Sequence, residues 1–213
     1  MSGQDKIFIS GFPRAGTSVM RRLLISFEGC RVNVKVPEEH PIIDTTDYNV
    51  KKQPFGYFKR FAPKYSYEEL INEYGYKIIS MVRDPRDVLV SIHKSKPDDY
   101  WVEPRIVIRN CREYLRNVNN RDVLFIRYEH LVTNVVEQLD KIANFIGHPY
   151  GDDYKNWYKF PDEEANINLS LNSPRPLDTS SIGNWNKPEH VERIKAVMTD
   201  ELRYFIVKLG YRL

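Results

Sequence analysis

The chain has 213 residues, 41% hydrophobic and 29% charged, with 32 basic side chains against 29 acidic and a formal net charge of +3, a length that suits one domain, or one with a small subdomain, around a substantial core. So small a net charge does not by itself argue for nucleic acid or an anionic membrane as a partner, and any anion site must come from local clustering. No stretch approaches the roughly 20 apolar residues of a spanning helix, and two cysteines, Cys30 and Cys111, make neither a disulfide framework nor a metal-ligand pattern.

In chain order, Lys6-Ile7-Phe8-Ile9-Ser10 is a short apolar run of the kind buried on both faces of a parallel sheet. It leaves no room for a cleaved signal before structure begins, so a cytoplasmic protein in a reducing compartment is expected. A glycine loop, GFPRAGTS over 11–18, follows, and then Val19, Met20, Leu23, Leu24 and Phe27 fall at helical spacing up to Gly29. Residues 31–62 mix charge with aromatics and show no clear period.

The same grammar returns at YKIISMV, 76–82, where Asp84 suits an N-cap, Pro85 the first helical position and Asp87 the third, near the positive end of the helix dipole. An amphipathic helix is expected over 103–118, a strand over 122–128, and a helix over 134–146 that stops at Gly147. Residues 152–187 are rich in Asn, Pro, Ser and Asp, and 188–209 reads as one long helix. Strands alternating with helices imply βαβ units and a parallel sheet, with ligands bound beyond the carboxyl ends of the strands. Both 11–18 and 83–87 lie at that edge.

Gly11 and Gly16 bracket a turn whose backbone N–H groups converge on an anion, and Thr17 and Ser18 add hydroxyl donors. The nucleotide-hydrolysing version of such a loop carries a lysine where this chain has Thr17, which weakens an ATP-hydrolysing reading. The nearest cation is then Arg14. An ordinary strand-to-helix turn is the competing reading of the loop. Arg83, at a strand end, suits bidentate phosphate binding, and Ser91 follows two helical turns later; a solvated cluster of Asp84, Arg86 and Asp87, with Arg83 in a surface ion pair, is equally compatible with those residues taken alone.

Together, IFISGFPRAGTSVMRRLL and KIISMVRDPRDVLVSIH resemble the sulfotransferases that use 3′-phosphoadenosine 5′-phosphosulfate (PAPS). In that family P-[KR]-x-G-T-[ST] binds the 5′-phosphosulfate, and R-[DN]-x-[KR]-D-x-x-x-S binds the 3′-phosphate. The resemblance implies an α/β, three-layer P-loop-like fold with a central parallel sheet flanked by helices, forming a single domain over 1–213 with acceptor-binding segments at 31–62 and 152–187. It implies donor contacts from Arg14, Ala15, Gly16, Thr17, Ser18, Arg83 and Ser91.

YFKRFAPKYSYEEL resembles the segment around a family lysine, here Lys59, 24 residues before Arg83. The histidine base that follows that lysine in cytosolic members is Phe61 here. GCRVNVKVPEEHPII resembles the tyrosylprotein branch, where a glutamate is the base, making Glu39 the first candidate and Glu38 and His40 the next. FIRYEHL resembles the stretch that puts a tyrosine, Tyr128, near the adenine, and SSIGNWN resembles a late loop that closes over the donor through Ser181 and Gly183.

The function so implied is transfer of a sulfuryl group from PAPS to a hydroxyl or amine, leaving adenosine 3′,5′-bisphosphate, with Glu39, Arg14 and Lys59 as catalytic residues and no metal. The acceptor, a small molecule, carbohydrate or peptide, carries no readable code. A small P-loop metabolite kinase and a non-catalytic nucleotide-binding protein of the same fold are the alternatives.

Overall fold

A computed structural model describes residues 6–32, 48–52, 65–93, 96–159 and 175–213. Strand β1 (Lys6–Gly11) puts apolar side chains on both of its faces, with Ile7 and Ile9 fully buried and Phe8 nearly so. It is therefore stable only inside a sheet covered on both sides. β2 (Val50–Lys52) runs parallel along one edge of β1 and β3 (Tyr76–Val82) along the other. β6 (Val123–Arg127) adds to β3, giving the all-parallel order β2-β1-β3-β6. Ile9 stands opposite Lys52 on one neighbour and Ile79 on the other.

One face of the sheet, with Ile7, Ile9, Val50, Ile79, Met81 and Ile126, packs against Met20 and Leu23 of α1 (Thr17–Leu23) and Leu139, Ile142 and Ile146 of α6 (Val135–Ile146). The other face, with Phe8, Ile78 and Val123, is covered by Tyr67 and Leu70 of α2 (Tyr67–Asn72). Tyr114 of α4 (Pro104–Asn117) meets Phe125 edge-on at 4.6 Å between ring centroids. Each large apolar side chain so buried contributes about 1.5–3 kcal/mol. This is the expected three-layer α/β arrangement.

Local signals set the helix ends. Ser66 begins α2 with a capping box shared with Glu69, and Gly147 ends α6 in the left-handed region at φ 79°. α3 (Pro85–Leu89) starts as read, with Asp84 accepting from the Arg86 N–H and Pro85 in the first turn.

Elsewhere the structure differs from the reading. β2 lies within 31–62, where two of its three residues are lysines and no apolar alternation marks a strand; pairing with β1 makes it one. The first helix ends at Leu23 and tightens into a 3-10 turn, Leu24–Ser26, before Phe27 turns extended. A hairpin of β4 (Ile92–His93) and β5 (Lys96–Tyr100) follows Ser91. α5 (Tyr128–Thr133) starts directly off β6, and Asn134, at φ −145° and ψ 68°, separates it from α6. The C-terminal helix is broken: a 3-10 turn at Pro188–His190 leads into α7 (Val191–Val197), and α8 (Asp200–Lys208) starts anew. The physical reason is Thr199, whose side chain caps the Leu202 N–H at 3.2 Å and overrides the apolar period that runs through it.

Candidate active site

The glycine loop leaves β1 through Gly11, which only glycine satisfies. Its φ is 116°, and a Cβ there would lie 2.1 Å from the Met81 carbonyl oxygen of the next strand. Gly16, at φ 87°, opens α1, and a Cβ there would meet the Tyr128 ring at 3.0 Å. Tyr128 thus lies against the loop. Arg14 takes a left-handed φ of 62°, which costs a non-glycine residue on the order of 1 kcal/mol, and two contacts hold it there. Its Nε donates to Ser91 Oγ at 2.9 Å, and its carbonyl accepts from Arg83 Nη1 at 2.9 Å. The two stretches, some seventy residues apart in sequence, are therefore crossed over each other at the carboxyl edge of β1 and β3.

Arg83 is buried, 7% exposed. Besides Arg14 it donates through Nη2 to the Ser181 carbonyl, lies 3.9 Å from an Asp87 oxygen, and stacks 4.6 Å from the centre of the Tyr128 ring. Its Nε is buried and donates to no acceptor among the described residues. A buried donor left unsatisfied costs about 1–3 kcal/mol, and this one belongs to a guanidinium, whose preferred acceptor is an anion. The first-turn N–H groups of α1 have no intrahelical carbonyl and face the same edge, with the Thr17 and Ser18 hydroxyls beside them.

Lys52, at the end of β2, is 3% exposed and donates from Nζ to Ser18 Oγ at 3.0 Å. This ammonium entered no sequence reading, although two adjacent lysines, one pointing to each face of a strand, were the signal available. Burying a lysine is costly unless an anion or strong acceptors compensate it. Its place beside the loop makes the site more cationic than Arg14 alone would.

The acidic residues of the second motif are not a solvated cluster. Asp84 accepts from Arg86 Nε at 3.0 Å and Nη2 at 2.8 Å, both residues being buried. The Asp84 N–H donates to Glu129 at 2.9 Å, and the other Glu129 oxygen accepts from the Tyr211 hydroxyl at 3.0 Å. Asp87 does more than favour the dipole of a five-residue helix: its two oxygens accept the N–H groups of Gly183, at 2.9 Å, and Trp185, at 3.0 Å. Burial pushes the Asp87 carboxyl above the usual range, while Arg83 and the two N–H donors pull the other way. Trp185 in turn lies over Arg86, 3.8 Å from guanidinium carbon to ring centre.

Of the residues singled out in the sequence, Arg14, Ala15, Gly16, Thr17, Ser18, Arg83, Ser91, Tyr128, Ser181 and Gly183 come to this one edge. Glu39, Glu38, His40 and Lys59 lie outside the described residues, as do most of 31–62 and residues 160–174. Cys30 is half-buried, and Cys111 is buried, which pushes its thiol up to about 12. Among the described residues no group of His, Cys, Asp and Glu is arranged to hold a metal ion, and no helix is long and apolar enough to cross a membrane.

Residues 4–166, well over half of the chain, match the sulfotransferase domain. The chain belongs to the sulfotransferase family. Cytosolic sulfotransferase 4 of Arabidopsis thaliana is 21% identical over 148 residues, covering 67% of this chain and 52% of that enzyme, so the chain spans about half of that relative's length. Amine sulfotransferase of Oryctolagus cuniculus is 21% identical over 249 aligned positions, covering 96% of this chain and 83% of the other.

Solved structures agree on the fold. The sulfotransferase domain of the Synechococcus PCC 7002 olefin synthase superposes with a TM-score of 0.66 at 16% identity, covering 100% of this chain and 98% of that one. A mouse sulfotransferase complexed with PAP superposes at 0.54 and 17% identity, covering 96% and 89%. The reaction of the family is transfer of a sulfuryl group to an acceptor, and the matches leave this chain's acceptor open.

Proposed function

We propose that this sulfotransferase takes its sulfuryl group from PAPS and passes it to a hydroxyl or amine, working in the cytoplasm as a single domain over 1–213. The observation that carries the proposal is the crossing of the two motifs: Arg14 on Ser91 and Arg83 on Arg14, each at 2.9 Å, around a buried Arg83 Nε that lacks an acceptor among the described residues. Two anion positions on neighbouring strands suit a donor phosphorylated at both the 5′ and 3′ ends of one nucleoside. The mouse sulfotransferase with PAP bound is consistent with that donor.

When bound, the donor supplies an activated sulfuryl group on its 5′-phosphate. The loop N–H groups and the Thr17 and Ser18 hydroxyls hold that phosphate, with Ala15 and Gly16 shaping the turn. Arg83 and Ser91 read the 3′-phosphate, and Tyr128, stacked on Arg83 and touching Gly16, forms a wall for the adenine. Lys52, already hydrogen-bonded to Ser18, and Arg14 place positive charge where negative charge develops during in-line transfer. Glu39 is proposed as the base that takes the acceptor's proton, and Lys59 as a further cation. The segments 31–62 and 152–187 shape the acceptor pocket for a small molecule, carbohydrate or peptide.

Calorimetric titration with adenosine 3′,5′-bisphosphate and, separately, with ATP plus magnesium tests the donor. The proposal expects tight binding of the bisphosphate and much weaker binding of ATP. The reverse order would return the chain to the P-loop kinase reading.

A further inference from the structure

We infer that Asp87 is a positioning residue that latches the 180–186 loop against Arg83, an inference that rests on the donor-site reading above. Between Arg175 and Lys187 this loop contains no lysine or arginine, so it brings no positive charge of its own to an anion. Its contribution is a carbonyl, that of Ser181, which accepts from Arg83 Nη2 and so sets where the guanidinium points. The position of that carbonyl depends on what anchors the loop.

Two anchors are visible. Gly183, left-handed at φ 73°, starts the 3-10 turn Asn184–Asn186, and this bend aims two N–H groups, those of Gly183 and Trp185, at one carboxylate. Asp87 takes one on each oxygen, at 2.9 and 3.0 Å, and is itself 2% exposed. Only a carboxylate offers two acceptor oxygens at this spacing; an asparagine in the same place turns an NH2 toward one of the two donors. The second anchor is the face of Trp185, 3.8 Å from Arg86, whose guanidinium is immobilised by two hydrogen bonds to Asp84. Arg86 thus serves as a fixed shelf and Asp87 as the latch, both within four residues of Arg83. With the latch closed, Arg83 is held between the Arg14 and Ser181 carbonyls; with the latch open, the Ser181 carbonyl no longer restrains it.

The test has one arm without a ligand and one with. In the full chain, NMR-detected exchange of the Gly183 and Trp185 amides is expected to rise at least roughly tenfold in Asp87→Asn, with β3 amides unchanged. Titration of the same variant is expected to show affinity for adenosine 3′,5′-bisphosphate weakened about 10- to 100-fold and affinity for adenosine 5′-monophosphate changed less than about twofold. Unchanged exchange at both amides, or equal losses for the two ligands, would overturn the inference. If the wild-type chain fails to bind the bisphosphate, the donor reading fails, and the exchange arm still decides whether the latch exists. Should Asp87→Asn not fold, Trp185→Ala, at a half-exposed position, removes the second anchor and is expected to give the same pattern. A uniform loss of stability with no selective change at Gly183, or for the bisphosphate, would count against it.

Discussion

Replacing Arg83 with methionine keeps much of the side chain's length and removes the guanidinium that this account assigns to the 3′-phosphate. A hydrogen bond to a charged partner contributes about 1.5–3 kcal/mol, and a guanidinium offers two to one phosphate. Arg83 keeps its hold on the Ser181 and Arg14 carbonyls through one N–H each and has three further N–H donors, so the net loss is placed at about 3 kcal/mol, roughly 150-fold in Kd. The assay is calorimetry with adenosine 3′,5′-bisphosphate and adenosine 5′-monophosphate on the same protein. The monophosphate lacks the group that Arg83 reads, so its affinity is expected to stay within a few-fold and to control for misfolding. A matching loss for both ligands would mean that Arg83 holds the loop together without reading a phosphate, and no loss for either would refute the assignment.

Lys52→Met is expected to lower the rate of sulfuryl transfer on the order of 100-fold, with a smaller effect on bisphosphate affinity, as read from kcat and a parallel titration. Glu39→Gln should slow turnover by at least about 100-fold and leave bisphosphate affinity unchanged; unaltered turnover would move the base to another residue. Gly11→Ala forces a Cβ to 2.1 Å from the Met81 carbonyl at a φ of 116°, and should cost on the order of 3 kcal/mol, or about 6–12 °C in Tm by thermal denaturation. At pH 8 a thiol reagent should modify Cys30 and spare Cys111 in the folded chain, because burial raises the Cys111 thiol to about 12 and keeps it protonated; denaturant should expose both.

What the sequence made legible was local and short-range. Ile7 to Ile9, the two bracketing glycines, and Asp84 followed by Pro85 each specify a strand, a turn or a cap through residues within a few positions of one another, and the structure forms all three. The parallel sheet followed from their alternation. β2 was hidden because its strand character comes from pairing with β1, which no local pattern records, and with it went Lys52. The break in the C-terminal helix is not legible because the apolar period continues through Thr199, while the cap at Thr199 is decided by a single hydroxyl. Locally Asp87 reads as a helix-start carboxylate, a role any acid there can fill; its contacts with Gly183 and Trp185 close over nearly a hundred residues of chain and exist only in three dimensions.

The most direct measurement supplies PAPS labelled in its sulfuryl group, offers a panel of hydroxyl and amine acceptors, and follows both the label and the release of adenosine 3′,5′-bisphosphate. The account predicts that label appears on at least one acceptor in equal measure with the bisphosphate released, and that both fall together in Lys52→Met. Tight binding of the bisphosphate with no label transferred to any acceptor would contradict it, and would make the fold a nucleotide-binding scaffold.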